Sequence, residues 1–454
     1  SSLTDPYNRF LVAHEMGHQF NAGHSFNSNR SPCVENRMAG SAVEPGSGST
    51  FMGYGGLCGA DNIVNVGDDY PHAETFDEIR AFIISRTCDV ETATGNLPPV
   101  VSAGANRTIP ANTPFVLTPA VLSDPNGDPM TVKWEQRQLA QAATTLAQGD
   151  TGTNPISRSR RASTNTTRFF PQNFTAANNG VTPSFPVGDI LPTTNRTLVY
   201  RATALDNRAG GGGVGWGEVT LTVTTSAGPF RVTAPNTNLS WTGGSERTIT
   251  WNVANTSASP VNTANVEILL STNGGNTFPI VLAASTPNDG SEVVTLPTSA
   301  TSQARVMVRA LGNYFFDVSD ANFSITAAPP STPSNVFAQP NPACTGQTVQ
   351  LFATVGPGEE AQWFNGTCGF FPIGTGSPIT VSAGISPNTY QVRARRISDG
   401  AASSCVDLTV NVGVPPVAPL SASASAPSYC LGSAPATVTL SALGGAGETL
   451  RWFS

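Results

Sequence analysis

The stretch HEMGHQFNAGH, residues 14–24, holds three of the four histidines in a chain of 454 residues. His14 and His18 stand four apart, so on a helix both imidazoles project from one face and reach a single ion. Glu15 then lies where its carboxylate sits beside the ion's open position without ligating it. For His24 to add a third nitrogen the helix must stop and the chain turn back. Asn21 stands at that turn, and Asn is among the few residues besides Gly that tolerate left-handed backbone. Three neutral nitrogens around zinc leave a fourth place open, which is the arrangement of a hydrolytic site and not of a closed structural one. An HExxH motif alone arises by chance in about 1% of chains this long. The third histidine, in a chain so poor in histidine, makes the signal specific.

Outward from this motif, helical patterning is confined to two stretches, roughly 6–20 and ETFDEIRAFIISR (74–86), the latter with Phe76, Ile79, Phe82 and Ile83 on one face. Everything beyond residue 95 reads as short alternating strands, such as MTVKWEQ, EVTLTVTT, RTITWNV and TVQLFATV, broken by frequent turn residues. Pro/Gly punctuation at 97–104, 224–230, 327–335 and 412–420 marks the joints. The expected fold class is multidomain: a small, mainly α segment over 1–95, then all-β sandwiches of the immunoglobulin or fibronectin kind at 97–227, 228–327 and 335–413. A repeat of the last module begins at 418 and stops at Ser454, because 343–364 and 429–453 share a Cys, an apolar strand, a Gly-rich turn and a closing Trp-Phe. A sandwich cannot close on two or three strands, so the chain is expected to be cut there.

Charged residues are only 12% of the chain, the net charge is -7, and Lys133 is the single lysine. With no basic stripe, nothing asks for nucleic acid, and no apolar run is long enough to span a membrane as a helix. None of the seven cysteines forms a CxxC pair, which excludes zinc-ribbon and thioredoxin chemistry. Their wide spacing in Ser/Thr-rich β sequence suits disulfides in an oxidising, secreted or cell-surface setting.

Together, HEMGHQFNAGH and EPGSGSTFMGYGG (44–56) resemble the metzincin zinc endopeptidases, in particular the reprolysin-like group of secreted bacterial proteases, whose catalytic unit is followed by β modules. The resemblance covers residues 1 to about 90. It implies Zn2+ ligands His14, His18 and His24, Glu15 as general base, and Met52 as the methionine of a tight turn beneath the metal; Asn21 replaces the family's Gly. Tyr54, two residues on, is a further catalytic candidate near the metal or the oxyanion, against the alternative of a tyrosine packed under the site. The implied substrate is a protein or peptide, cleaved by zinc-activated water. A Cys33–Cys58 bridge would pin the loop between His24 and the Met turn, and Cys88 would pair with a cysteine upstream of the zinc helix. Such catalytic domains place a sheet before that helix. Here thirteen residues precede His14, so Phe10, Val12, Ala13, Met16 and Phe20 are expected to lack cover, and the chain to be weak or inactive alone.

Outside the motif, His72 reads as structural at the start of the second helix. Asp68 and Asp69, and the turn SDPNGDP with Asp124, Asn126 and Asp128, are weak candidates for Ca2+, with plain turn chemistry favoured. STNGGNTF (271–278) reads as a hairpin turn with an aromatic anchor, and 136–190 as a long exposed loop. Cys344 and Cys405 are placed to bridge beside Trp363, with Cys368 competing for either. The β modules would bind matrix or cell surface. The alternative to a protease is a surface adhesin carrying an inert protease remnant.

Overall fold

The computed structural model describes residues 6–88, 92–172 and 188–413, together with 419, 421–425, 437, 439–444 and 449–452. They fall into two units, Ser1–Ala328 and Pro329–Ser454.

The first unit opens on α1 (Pro6–Gln19). Two short strands, β1 (Phe26–Asn27) and β2 (Glu44–Pro45), then pair in parallel. Between them lies α2 (Cys33–Asn36), a single turn that periodicity could not reveal. α3 (Ala73–Ile84) begins where His72 caps it, its Nδ1 accepting the Glu74 amide at 3.0 Å. Burial holds the His72 imidazole below its ordinary value, as an acceptor nitrogen requires. The apolar face expected of α3 is only partly covered: Phe82 meets Phe20 edge-on at 6.2 Å, whereas Ile83 is exposed.

Eight strands follow: β3 (Val100–Ser102), β4 (Arg107–Pro110), β5 (Phe115–Leu117), β6 (Val121–Ser123), β7 (Thr131–Gln136), β8 (Arg168–Phe170), β9 (Arg196–Leu205) and β10 (Val214–Thr224). They form a sheet of order β4-β10-β9-β7 and the pairs β3-β6 and β5-β8. Their core is built on Phe115, Trp134, Phe170, Leu198, Tyr200 and Leu221. The alternation in TVKWEQ sends Val132 and Trp134 into this core and Lys133 and Glu135 to the opposite face. That second face is not solvated: Lys133 and Glu135 are both buried, and Glu135 accepts the Ala73 amide at the start of α3. The polar face of the sheet is the seat of α3.

The stretch after β7 corrects the expectation of a long exposed loop over 136–190. Ile156, Ser157 and Ser159 are buried, β8 lies within the stretch, and Gln136 Oε1 accepts the amides of Ile156 and Ser157. Some of the polar side chains that made this stretch look solvated, Ser157, Ser159 and Arg168 among them, are consumed by internal hydrogen bonds, whereas Arg161 stays exposed as expected. Residues 173–187 lie outside the described residues.

A second β-sandwich completes the first unit around Phe230, Trp251, Ile268, Val306, Phe315 and Phe323. Its strand Asn265–Ser271 turns through the 271–278 stretch into Ile280–Pro287, with Ser271 Oγ accepting the amides of Asn273 and Gly275 and Phe278 anchored on a buried cluster. The second unit packs a three-strand and a four-strand sheet around Leu351, Trp363, Val392 and Val410. There Cys368 pairs with Cys405, and Cys344 is free and exposed, which settles the competition against a Cys344–Cys405 bridge. Cys344 sits on an edge strand, Ala343–Cys344, paired with Val412–Gly413. Beyond it Ser421–Ala424 pairs antiparallel with Leu440–Leu443, while much of the repeat at 429–453, Cys430 included, lies outside the described residues. Among the described residues no helix is long and apolar enough to cross a membrane.

Candidate metal centre

α1 presents His14 and His18 on one face, and Gly17 between them is a packing requirement: a Cβ there would lie 2.4 Å from Met52 Sδ. The helix ends in a Schellman motif, with Asn21 N–H donating to His18 O, Ala22 N–H donating to Gly17 O, and Asn21 at φ 64. The turn brings back Gly23, where a Cβ would lie 2.1 Å from Ser41 Oγ, and then His24.

The three Nε2 atoms converge. His14 and His24 are 3.2 Å apart, His14 and His18 3.2 Å, and His18 and His24 3.1 Å. Each Nδ1 faces a backbone carbonyl: Phe51 O at 2.7 Å from His14, Ala22 O at 2.9 Å from His18 and Asn36 O at 2.5 Å from His24. A carbonyl only accepts, so each Nδ1 carries the proton and each Nε2 presents a lone pair to the same point. Burial pushes the His14 imidazole down and the His24 imidazole down to about 4, in keeping with neutral rings. Three lone pairs at this separation repel unless a cation lies among them. Nitrogens at about 2.0–2.1 Å from a tetrahedral zinc stand about 3.3 Å apart, so the observed spacing fits that ion. Among the described residues this is the one group of three His, Cys, Asp or Glu side chains close enough to share a metal.

Glu15 is exposed beside the trio, and Met52 is fully buried beneath it, with its carbonyl accepting the Ser25 amide at 3.1 Å. The Tyr54 ring lies 4.6 Å from those of His24 and Phe26, and burial together with the charge of Glu15 pushes its phenol up. Cys33 and Cys58 are joined, pinning the His24 loop to the segment after Met52, and Cys88 is free and exposed. On α1, Leu11, Val12 and Met16 are exposed, as expected for Val12 and Met16. Phe10 is not: it is buried against Gly67, whose missing side chain leaves room for the ring.

Two carboxylates that the sequence reading passed over support this arrangement. Glu44, fully buried, accepts from Ser25 Oγ, Ser49 N, Ser49 Oγ and Thr50 Oγ1, and so ties the residue after His24 to the approach of Met52. Glu78 on α3 accepts from Gly23 N at 3.0 Å and from Ser41 Oγ. Their partners are small polar residues scattered along the chain, and nothing local marks them. The calcium candidates gain nothing: Asp69 pairs with Arg161, and Asp124 Oδ1 accepts the amides of Asn126 and Asp128 as a plain Asx turn.

The model of the Metallo-peptidase family M12B, Reprolysin-like, matches residues 2–66, the segment that holds the histidine trio and Met52. No curated protein matches the chain. Among solved structures, it is similar to the fibronectin(III)-like modules of Clostridium thermocellum CbhA at 15% identity, covering 41% of this chain and 95% of that one, with a TM-score of 0.18. It is also similar to extracellular domains 3–5 of Drosophila OTK at 10% identity, covering 72% and 100%, with a TM-score of 0.24. The eight N-terminal Ig domains of Down Syndrome Cell Adhesion Molecule match at 14% identity over 77% of this chain and 41% of that one, with a TM-score of 0.25. Such scores carry no functional weight, and the β-sandwich architecture stands on the sheets described above.

Proposed function

We propose that this chain carries the metal-binding part of a secreted zinc metalloendopeptidase of the metzincin type, with β modules at 97–227, 228–327 and 335–413 that bind or space. One observation carries the reading: three imidazoles, each with Nδ1 committed to a carbonyl, aim their Nε2 lone pairs at one point beside Glu15. His14, His18 and His24 hold the ion. Zinc bound there supplies Lewis acidity, polarising a scissile carbonyl and acidifying a water. The Glu15 carboxylate takes a proton from the attacking water and hands it to the leaving amine. Met52 forms the floor, and the Tyr54 phenol, protonated at neutral pH, is a donor for the developing oxyanion. The Cys33–Cys58 bridge suits an oxidising compartment.

The test is metal content of the full chain after dialysis. One zinc per chain is expected, retained in Glu15→Gln and lost in His14→Ala and His24→Ala, with any peptide cleavage by the loaded protein abolished in Glu15→Gln. Substoichiometric zinc in the unaltered chain, or zinc that survives loss of the histidines, refutes the reading and leaves the inert-remnant alternative.

A further inference from the structure

His14 and His18 are fixed by the helix that carries them, whereas His24 is not. The residue before it, Gly23, is held by Glu78 of α3, and its own Nδ1 is held by Asn36 O, next to Arg37. Both supports lead into the first β-sandwich. α3 is fastened to the sheet through Glu74 and Asp77, which pair with Arg137 at 2.5 and 2.7 Å, and through Asp77 with Arg201 at 2.8 Å. Its first amide, from Ala73, ends on Glu135 of β7 at 3.0 Å. From the other side Arg37 donates to Asn27 Oδ1 and to Ala140 O, both at 2.7 Å, Ala140 N–H donates to Ala42 O at 2.8 Å, and Asn27 Nδ2 donates to Thr144 Oγ1 at 2.9 Å.

We propose that the first β-sandwich is a working part of the metal site, and that Glu78 and Arg37 are the positioning residues through which it sets the third histidine. The inference rests on the metal reading above and deepens it: the module after the catalytic segment is scaffold for His24, not a tethered spacer. Groups that hydrogen-bond a metal ligand directly are worth about 10–100-fold in metal affinity, and Glu78 and Arg37, one contact further from His24, are expected at the lower end of that range. Both routes act on His24, so their loss removes one nitrogen from the ion and spares the two on α1.

The experiment measures zinc affinity of the full chain by chelator competition, and the number of coordinating histidines by X-ray absorption. Glu78→Ala and Arg37→Ala are each expected to weaken binding about 10-fold or more and to lower the histidine count from three towards two. Glu78→Gln should retain wild-type affinity, because its amide oxygen still accepts the Gly23 N–H and its NH2 can donate to Ser41 Oγ. Arg309→Ala, which breaks a similar pair with Glu267 in the second sandwich, is the control and should bind as wild type. If Glu78→Ala does not fold, Glu78→Asp decides, because it keeps the charge and only shortens the reach to Gly23. Wild-type affinity with three histidines in both the Glu78 and Arg37 variants overturns the inference alone. Failure of His14→Ala and His24→Ala to lose zinc overturns the metal reading beneath it.

Discussion

Gly17 offers a test of the packing under the metal site in which the sign of one substitution reverses with its background. In a helix interior Ala is better than Gly by about 0.8–1.0 kcal/mol, so Gly17→Ala would stabilise α1 if the position were open. It is closed: the added methyl would sit 2.4 Å from Met52 Sδ and 3.1 Å from the Phe51 ring, so the fully buried Met52 thioether has to shift within the packed interior to admit it. Overpacking of this kind costs about 1–3 kcal/mol, which outweighs the helix term and leaves a net loss of about 1 kcal/mol. Met52→Ala alone should cost about 2–5 kcal/mol as a buried cavity. In that background the methyl added by Gly17→Ala enters the space left by the thioether, contributing about 0.8 kcal/mol of burial on top of the helix term. Gly17→Ala then becomes stabilising by about 1–2 kcal/mol, a coupling of about 2–3 kcal/mol between the two sites. Hydrogen exchange of the α1 amides in the four proteins reads opening of this segment without depending on the β modules. Additive effects within about 0.5 kcal/mol would refute the claim that glycine is required there by Met52.

Three further outcomes follow from the first unit. Glu135→Leu strands the Lys133 ammonium, the Ala73 amide and the Ser159 hydroxyl in the interior and should cost about 3–5 kcal/mol; adding Lys133→Met should return about half of it, leaving about 1–3 kcal/mol for the unpaired Ala73 N–H, Ser159 O–H and Pro71 carbonyl, measured by urea unfolding. Burial pushes the Asp150 carboxyl up, but bonds from the Gly152 and Thr193 amides and from Arg196 outweigh it and leave it below its ordinary range. Its ionised form is thus stabilising in full above about pH 4, and the contribution is lost as pH falls through the lower folded value; Asp150→Asn should flatten the acid limb of stability against pH, and an unchanged limb contradicts the assignment. Asn21→Gly should be neutral, and Asn21→Val should cost about 1–2 kcal/mol because φ is 64 there; equal melting temperatures for the two would show that the turn does not need left-handed backbone.

What could be read from the sequence was local. The two longer helices, the stop at Asn21, the structural place of His72 near the start of the second helix and the hairpin at 271–278 depend on residues within one or two turns of each other, and short-range rules suffice for them. The contacts that hold the trio together are not of that kind. Glu78 meets Gly23 across 55 positions and Arg37 meets Ala140 across 103, so neither leaves a pattern in any short window. The alternation in TVKWEQ identified a strand, but it could not tell a solvated polar face from one occupied by another module's helix. The same limit explains the stretch after β7, where Ser157 and Ser159 look like solvated loop and instead bond Tyr200 and Glu135. Cysteine pairing at Cys368–Cys405 likewise follows from which strands meet, not from spacing.

The seat of α3 is unusual for a chain in which only 12% of residues are charged. Its single lysine, two arginines, Glu74, Asp77, Glu135 and Glu218 all meet there. Stability is a poor explanation, since desolvation consumes most of what buried pairs gain and apolar replacements often serve as well. Orientation is a better one. An apolar helix face can slide or rotate by a fraction of a turn at little cost, whereas Arg137 between Glu74 and Asp77, with Glu135 on the first amide, admits one register. Glu78 follows Asp77 on the same helix, so that register fixes where Gly23 and then His24 lie. A tetrahedral site tolerates displacements of only about 0.2 Å in its ligand distances, a demand that ionic registration of α3 meets and hydrophobic contact alone would not.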